Sequence, residues 1–145
     1  MFKHILVPTD GSELSAAAIA KAVALAKSLS AKVTGLTVFA PFHVLAADPA
    51  MVTDTEEQYR AHCESRAAQY LDVIKTAADA AGVTFNGLHV FAPQPYVTII
   101  STASDQGCDL ICMASHGRRG MSALLLGSET VKVLTHSKAP VLVLR

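Results

Sequence analysis

The 145-residue chain has no excess of charge of either sign, because twelve lysines and arginines balance twelve aspartates and glutamates. A chain without net charge lacks the broad positive field on which non-specific nucleic-acid binding depends. We therefore expect no nucleic-acid partner. The length suits a single domain, residues 1–145, that buries a full core without metal or disulfide staples.

Cysteine is scarce and follows no binding pattern. Cys63, Cys108 and Cys112 form neither a C-x-x-C pair nor an even set, which predicts free, reduced and packed thiols and no zinc site. A signal-peptide pattern is also missing, since residues 1–4 lead directly into a strand-like run without a small-residue cleavage site. These features predict a cytoplasmic protein.

No apolar run is long enough to cross a membrane, although 51% of the residues are apolar and the mean hydropathy is +0.37. The longest candidate, residues 16–33, is mostly alanine and contains three lysines, whereas a span needs about 20 predominantly apolar residues. A sheet buried on both faces explains the apolar surplus, because its strands read as continuous apolar runs. We expect no membrane association.

Strand and helix patterns alternate along the chain. Short apolar or β-branched runs predict strands at 4–9, 32–39, 83–91, 109–114 and 139–145. Helical spacing with Ser, Pro and Gly end signals predicts helices at 12–29, 54–81, 95–107 and 128–135, with a looser connection at 40–54. A Thr53/Glu56 capping box is expected to open the second helix. Such alternation needs crossover connections and predicts an α/β fold, an open parallel sheet with helices on both faces.

Ligands of open parallel sheets bind beyond the carboxyl ends of the strands, where the strand order reverses. The stretches PTDGS and ASHGRRG should arrive there, and neither carries a GxxxxGK[ST] or GxGxxG motif. Gly117 is instead followed, after nine residues, by Gly127-Ser128 at a predicted helix start. Backbone N–H groups at such a start bind phosphate, and glycine allows close approach. The alternative is a plain turn at Gly127 with Ser128 as the helix N-cap.

The segments ILVPTDGS, ASHGRRGMSALLLGS and APVLVLR together resemble the universal stress protein family, over the whole chain and in the same strand-helix order. The resemblance implies a Rossmann-like, five-stranded parallel sheet of order 3-2-1-4-5, often as a homodimer. In the nucleotide-binding branch it implies ATP over the strand ends, with the phosphates on a G-x2-G-x9-G-[ST] motif. On this chain the motif falls on Ala114, Gly117, Gly127 and Ser128, with alanine at the first glycine position.

The resemblance also assigns residues to the adenosine end. Asp10 matches the position that meets the adenosine, with Pro8 and Thr9 beside it, and Val38 matches the residue that touches the base. Met113, at the end of the fourth strand, is expected to face the same cleft. An ionised Asp10 carboxylate would accept hydrogen bonds from ribose hydroxyls or the adenine amino group. It could equally cap the helix that follows.

Charged residues around the second and third glycines of the motif would strengthen or weaken the binding of phosphates. Arg118 and Arg119, with Gly120 beside them, can offset phosphate charge. Glu129 favours the helix dipole but repels a polyphosphate unless its side chain turns outward or Mg²⁺ bridges the charges. The resemblance implies ATP, ADP or AMP as the ligand, and the charge balance predicts that Mg²⁺ accompanies it without a dedicated metal-ligand cluster. His116 is expected to be a structural or ligand-contacting residue and not a catalytic one, because no oriented nucleophile accompanies it.

The last strand predicts a partner. Val141 to Leu144 are apolar at every position, which predicts burial on both faces, yet the implied order places this strand at an edge. A two-fold pair of chains hides both edges, so we expect a homodimer through Val141–Leu144.

Three functions stay open: a cytoplasmic ATP-binding stress-response module, a nucleotide-free dimeric interaction protein, and a slow ATP hydrolase. The glycine pair and Ser128 favour the first.

Overall fold

A computed structural model describes residues 1–45, 55–117 and 125–145 of the chain. Five strands form one parallel sheet of order β3-β2-β1-β4-β5. The strands are β1 (His4–Pro8), β2 (Lys32–Phe39), β3 (Phe85–Phe91), β4 (Leu110–Ala114) and β5 (Val141–Leu144). The helices of the described ranges are α1 (Glu13–Leu29), α2 (Phe42–Leu45), α3 (Glu56–Ala81), α4 (Pro95–Asp105) and α5 (Ser128–His136). The predicted fold class and strand order are confirmed.

The strand order reverses at β1, which lies between β2 and β4. The ladder between β1 and β2 continues to the pair Pro8↔Leu36, whereas the ladder between β1 and β4 ends at the pair Leu6↔Ile111. The two strands therefore part before β1 ends. The topology creates the crevice at the carboxyl ends of β1 and β4 in which open α/β sheets bind ligands.

Helices cover both faces of the sheet. Successive residues of β1 alternate between the faces, so that Ile5 and Val7 join one core cluster and Leu6 joins the other, all three at most 1% exposed. The first cluster includes residues of α1 and α3, and the second includes residues of α4 and α5. The apolar surplus of the sequence is thus buried in two core layers. Within the described ranges, none of the helices has the length and apolar character needed to span a bilayer.

The long helix α3 begins later than predicted. Thr55 is its N-cap: the Thr55 hydroxyl accepts the Gln58 N–H at 3.2 Å, and Gln58 Oε1 accepts the Thr55 N–H at 2.9 Å. The predicted Thr53/Glu56 box is therefore wrong by two residues, because the same spacing occurs twice and glutamine serves in place of glutamate. Thr53 lies outside the described residues.

The burial predicted for β5 is wrong in part. Leu142 is 37% exposed, and the other three residues of β5 are only partly buried. Their exposure follows from position, because β4 is the single neighbour of β5 in the described sheet.

The three cysteines are buried and without disulfide partners among the described residues. Burial raises the pKa of the Cys108 and Cys112 thiols to about 11 and keeps them protonated.

His4 is a buried titratable group at the amino end of β1. Its side chain is 6% exposed, and its Nε2 lies 2.7 Å from the Thr34 hydroxyl oxygen. Burial, assisted by the positive charge of Lys32, lowers the pKa of His4, although the nearby Asp109 carboxylate acts in the opposite direction. The folded chain therefore favours neutral His4.

We predict that lowering the pH reduces the stability of the fold. Near the ordinary histidine pKa of about 6.5, the unfolded chain binds a proton at His4 that the folded chain still excludes. The contribution of His4 to the free energy of unfolding is complete above that pKa. It is lost as the pH falls toward the lower pKa of His4 in the folded chain. Urea unfolding at about pH 7.5 and about pH 5.5 measures the difference. The difference should shrink in His4→Gln, which does not titrate; an undiminished difference would contradict the assignment.

Candidate functional site

The loops after β1 and β4 meet at the carboxyl edge of the sheet. Asp10 Oδ1 accepts hydrogen bonds from the Ser12 N–H at 3.0 Å and from the Ser15 hydroxyl at 2.9 Å. A Cβ added to Gly117 would overlap the other carboxylate oxygen of Asp10. Glycine at position 117 therefore leaves room for the Asp10 carboxylate, which occupies the space of a side chain. This contact brings together the two stretches in which the sequence predicts a ligand site.

Asp10 supports the start of α1 without being its N-cap. Ser12 is the N-cap, and its hydroxyl accepts the Ser15 N–H at 3.2 Å. Between them, Gly11 adopts a φ of +77°, and a Cβ there would overlap the ring of Tyr70. The turn that carries Asp10 is thus fixed by local hydrogen bonds on one side and by an aromatic ring of α3 on the other.

The third glycine of the motif is fixed against the end of β4. The Gly127 N–H donates to the Ser115 carbonyl at 2.8 Å, and a Cβ on Gly127 would come within 3.0 Å of His116. Gly127 is the N-cap of α5, so the alternative that Ser128 caps this helix is wrong. Ser128 is instead an exposed first residue of the helix. Because glycine has no side chain, the first turn of α5 gains no side-chain capping bond from its N-cap residue. A helix start of this kind is suited to binding an anion.

Thr130 contributes a contact that the sequence analysis missed. Its side chain is buried, and its hydroxyl donates to the Ala114 carbonyl at 3.1 Å. Together with the hydrogen bond of Gly127, this fixes the first turn of α5 to the end of β4. A threonine inside a helix carries no local pattern that indicates such a bond, since its partner lies 16 residues away.

The other residues predicted at the cleft line the strand ends to different extents. Pro8 and Val38 are partly exposed, whereas Thr9, Met113 and Ala114 are at most 8% exposed. Met113 packs in the core cluster beneath α4 and α5, which leaves little of its side chain for the cleft.

His116 lies in the turn after β4. Its Nδ1 is 3.0 Å from the Ser115 hydroxyl, and its Cα and Cβ face Gly127. In the described ranges, no group of three or more His, Cys, Asp or Glu side chains is arranged to hold a metal ion. The observed contacts are those of a residue that shapes the turn. Arg118 and Gly120, also predicted at the site, lie outside the described residues, as does Arg119.

The carboxylate of Glu129 is turned toward α4. Its Oε2 accepts the Tyr96 N–H at 2.9 Å, and its Oε1 lies 3.0 Å from Lys132 Nζ. One carboxylate oxygen is therefore bound by a backbone amide and the other by an ammonium group. The sequence offers no signal for the pairing with Tyr96, because the two residues are 33 positions apart.

The reversal of strand order, the crevice beyond β1 and β4 and the glycine-bounded helix start define a Rossmann-like α/β domain with a candidate ligand site at the strand ends. A family model described as "Universal stress protein family" matches residues 1–145. The chain belongs to the universal stress protein family.

Known members of the family resemble the chain along its whole length. Universal stress protein MJ0577 of Methanocaldococcus jannaschii is 30% identical over 157 residues, which cover 100% of this chain and 96% of that protein. A solved structure of MJ0577 superposes with a TM-score of 0.83 at 29% identity and covers 99% of this chain and 96% of its own.

Two more distant structures share the fold and contain ligands. A universal stress protein in complex with cAMP has a TM-score of 0.67 at 23% identity and covers 99% of this chain and 97% of its own. A universal stress protein of Archaeoglobus fulgidus in complex with dAMP has a TM-score of 0.66 at 13% identity and covers 100% and 98%.

We predict that Gly117→Ala destabilises the protein by about 2 kcal/mol, the scale of lost hydrogen bonds to a charged group. The new methyl group would force the Asp10 carboxylate away from Ser12 and Ser15, while Gly117 itself has no positive φ that would add backbone strain. Urea unfolding of the single and double variants measures the coupling. In an Asp10→Ala background the same substitution should cost much less; equal costs in the two backgrounds would show that the carboxylate is not the obstacle.

Proposed function

We propose that this universal stress protein binds an adenine nucleotide across the carboxyl ends of β1 and β4 and acts as a nucleotide-responsive regulatory module in a stress response. The ligand is ATP, or ADP or AMP in the same position, with Mg²⁺ accompanying the polyphosphate. One observation carries the proposal. The Asp10 turn and the glycine-bounded start of α5 converge on the end of β4, which gives an acceptor at one end of the cleft and a helix N-terminus at the other.

Asp10 fits the adenosine end chemically. An ionised carboxylate accepts hydrogen bonds and donates none, and the Ser12 N–H and the Ser15 hydroxyl both donate to its Oδ1. These bonds hold the carboxylate in one orientation, and we assign it to the ribose hydroxyls of the adenosine. The partly exposed Val38 and Pro8 supply apolar surface for the base, whereas Thr9 and Met113 are each only 7% exposed.

The start of α5 fits the phosphate end. Gly127 presents the first turn beside the strand ends, and Ser128 adds an exposed hydroxyl that can donate to a phosphate oxygen. We assign Ala114 and Gly117 to the opposite wall. We assign Arg118 and Gly120 to the same phosphate contacts on the motif, and His116 to the wall of the turn. The ligands of the cAMP and dAMP complexes support an adenine nucleotide as the ligand class.

A nucleotide-free interaction protein of the same fold is the second candidate. The observation in its favour is that packing inside the protein already requires two of the motif glycines: Gly117 faces Asp10, and Gly127 faces His116. The motif could therefore persist without a ligand. A slow ATP hydrolase has weaker support, because His116 contacts Ser115 and no metal-ligand group accompanies it in the described part of the chain.

We predict that Ser128→Ala weakens MgATP binding about tenfold, the cost of one hydrogen bond to a charged group. The urea midpoint should stay unchanged, because Gly127 and not Ser128 is the N-cap of α5. Calorimetric titration measures the affinity, and Ser128→Thr, which keeps a hydroxyl, is the matched control.

A second measurement tests the proposal as a whole. The purified protein is denatured, and the supernatant is assayed for adenine nucleotide. A wild-type protein that releases no nucleotide and shows no thermal shift with MgATP would reject nucleotide binding and favour the interaction protein.

We propose a homodimer formed through β5. The hydrogen bonds from the Ile111 N–H to the Pro140 carbonyl and from the Ser115 N–H to the Leu144 carbonyl show which residues of β5 face β4. Because backbone groups alternate along a strand, Val141 and Val143 present theirs to the open edge. Pairing with a second copy would satisfy this edge and cover Leu142, which is 37% exposed.

The buried, unpaired thiols support a reducing compartment, the cytoplasm.

We predict that Val143→Pro converts the dimer to a monomer. Proline removes the N–H that faces the open edge but leaves the bonds between β4 and β5, and edge strands tolerate it. Sedimentation velocity over a range of concentrations measures the mass, with Val143→Ala as a control that keeps the N–H. A wild-type chain of monomer mass at every concentration would reject the dimer.

A further inference from the structure

We infer that Glu129 is a positioning residue that ties the start of α5 to the start of α4 and so holds the phosphate-binding turn in place. The inference rests on the proposed nucleotide site. The position of Glu129 in the sequence predicts that its charge repels a polyphosphate. The inference assigns it the opposite effect, which is to support phosphate binding.

The first step is that α4 lacks a cap of its own. Its N-cap residue, Gln94, makes no side-chain capping bond within the described residues, and Pro95 has no N–H to satisfy. The next N–H, that of Tyr96, belongs to the first turn, where a helix offers no internal acceptor. Glu129 Oε2 accepts this N–H at 2.9 Å. A side chain from α5 thus performs the capping role for α4.

The second step is the charge of the carboxylate. Lys132 Nζ lies 3.0 Å from Oε1 and 5.5 Å from the centre of the Tyr96 ring, so the lysine bridges the same two helices. The side chains of Lys132 and Glu129 are 48% and 36% exposed, and an exposed ion pair stabilises little by itself. The bond to the Tyr96 N–H, at the positive end of the α4 dipole, is therefore the stronger attachment.

The third step is geometric. Three positions in the first turn of α5 attach it to its surroundings: Gly127 bonds to Ser115, Thr130 bonds to Ala114, and Glu129 bonds to Tyr96. The partners of the first two bonds, Ser115 and Ala114, lie on β4 and in the loop after it. Of these three bonds, only the one to Tyr96 reaches α4. Core packing of α4 and α5 holds the two helices together, and the bond from Glu129 fixes the first turn of α5 within that pair. Phosphate-binding amides must be held to within about 0.5 Å to keep their affinity.

The experiment compares four variants. Glu129→Ala removes the attachment, Glu129→Asp shortens it by one methylene, and Glu129→Gln keeps an acceptor oxygen without the charge. Glu57→Ala is the matched control, because Glu57 is the exposed second residue of α3 as Glu129 is the second residue of α5. Calorimetry gives the affinity for MgATP and for AMP, and amide hydrogen exchange by NMR reports on the Tyr96 N–H.

We expect Glu129→Ala to bind MgATP about fivefold more weakly, the factor that corresponds to the loss of one helix cap. The Tyr96 N–H should exchange faster in this variant. Glu129→Asp should show the same changes and serves if the alanine variant does not fold. Glu129→Gln should stay within about twofold of the wild type, because its amide oxygen can still accept the Tyr96 N–H, and Glu57→Ala should match the wild type in both measurements.

Two results would overturn the inference. Tighter ATP binding in both Glu129→Ala and Glu129→Gln, with a gain that grows from AMP to ATP, would show that the charge acts by repulsion. Unchanged ATP affinity in Glu129→Ala would show that the attachment does not position the turn. A wild-type protein that binds no nucleotide would instead defeat the proposed function, and the role at the phosphates with it, while the exchange of the Tyr96 N–H would still decide whether Glu129 caps α4.

Discussion

The contact between the Asp10 carboxylate and the Gly117 backbone is the constraint on which the rest of the site depends. It joins the loop after β1 to the loop after β4, at the position where the strand order reverses and the two strands part. A carboxylate at this point is tolerated because the Ser12 N–H and the Ser15 hydroxyl bind one of its oxygens. The same bonds stabilise the start of α1, so helix nucleation and site geometry share one side chain.

The glycines of the site share a physical role that does not require a ligand. Gly11 leaves room for the Tyr70 ring, Gly117 for the Asp10 carboxylate and Gly127 for His116. Close packing at these three glycines brings backbone and neighbouring side chains together at the strand ends. In the proposed function the same absence of side chains lets phosphates approach the amides, so internal packing and ligand binding favour glycine together.

The start of α5 depends on tertiary contacts and not on a local cap. Thr130 and Gly127 attach it to the end of β4, and Glu129 attaches it to α4. This arrangement leaves the exposed Ser128 outside the capping role. It also explains how an acidic residue can stand next to a proposed phosphate site, since a backbone amide and a lysine engage its charge.

Short-range patterns in the sequence determined the alternation of strands and helices and Ser12 as the cap of α1, because the interactions that fix these features lie within a few residues. The resemblance of three segments to a family supplied the strand order. Tertiary structure alone decided that Gly127 and not Ser128 caps α5, where the Glu129 carboxylate points, and how far Leu142 is exposed. These features depend on which residues the folded sheet brings together, such as Tyr96 and Glu129, and spacing along the chain does not indicate such pairs.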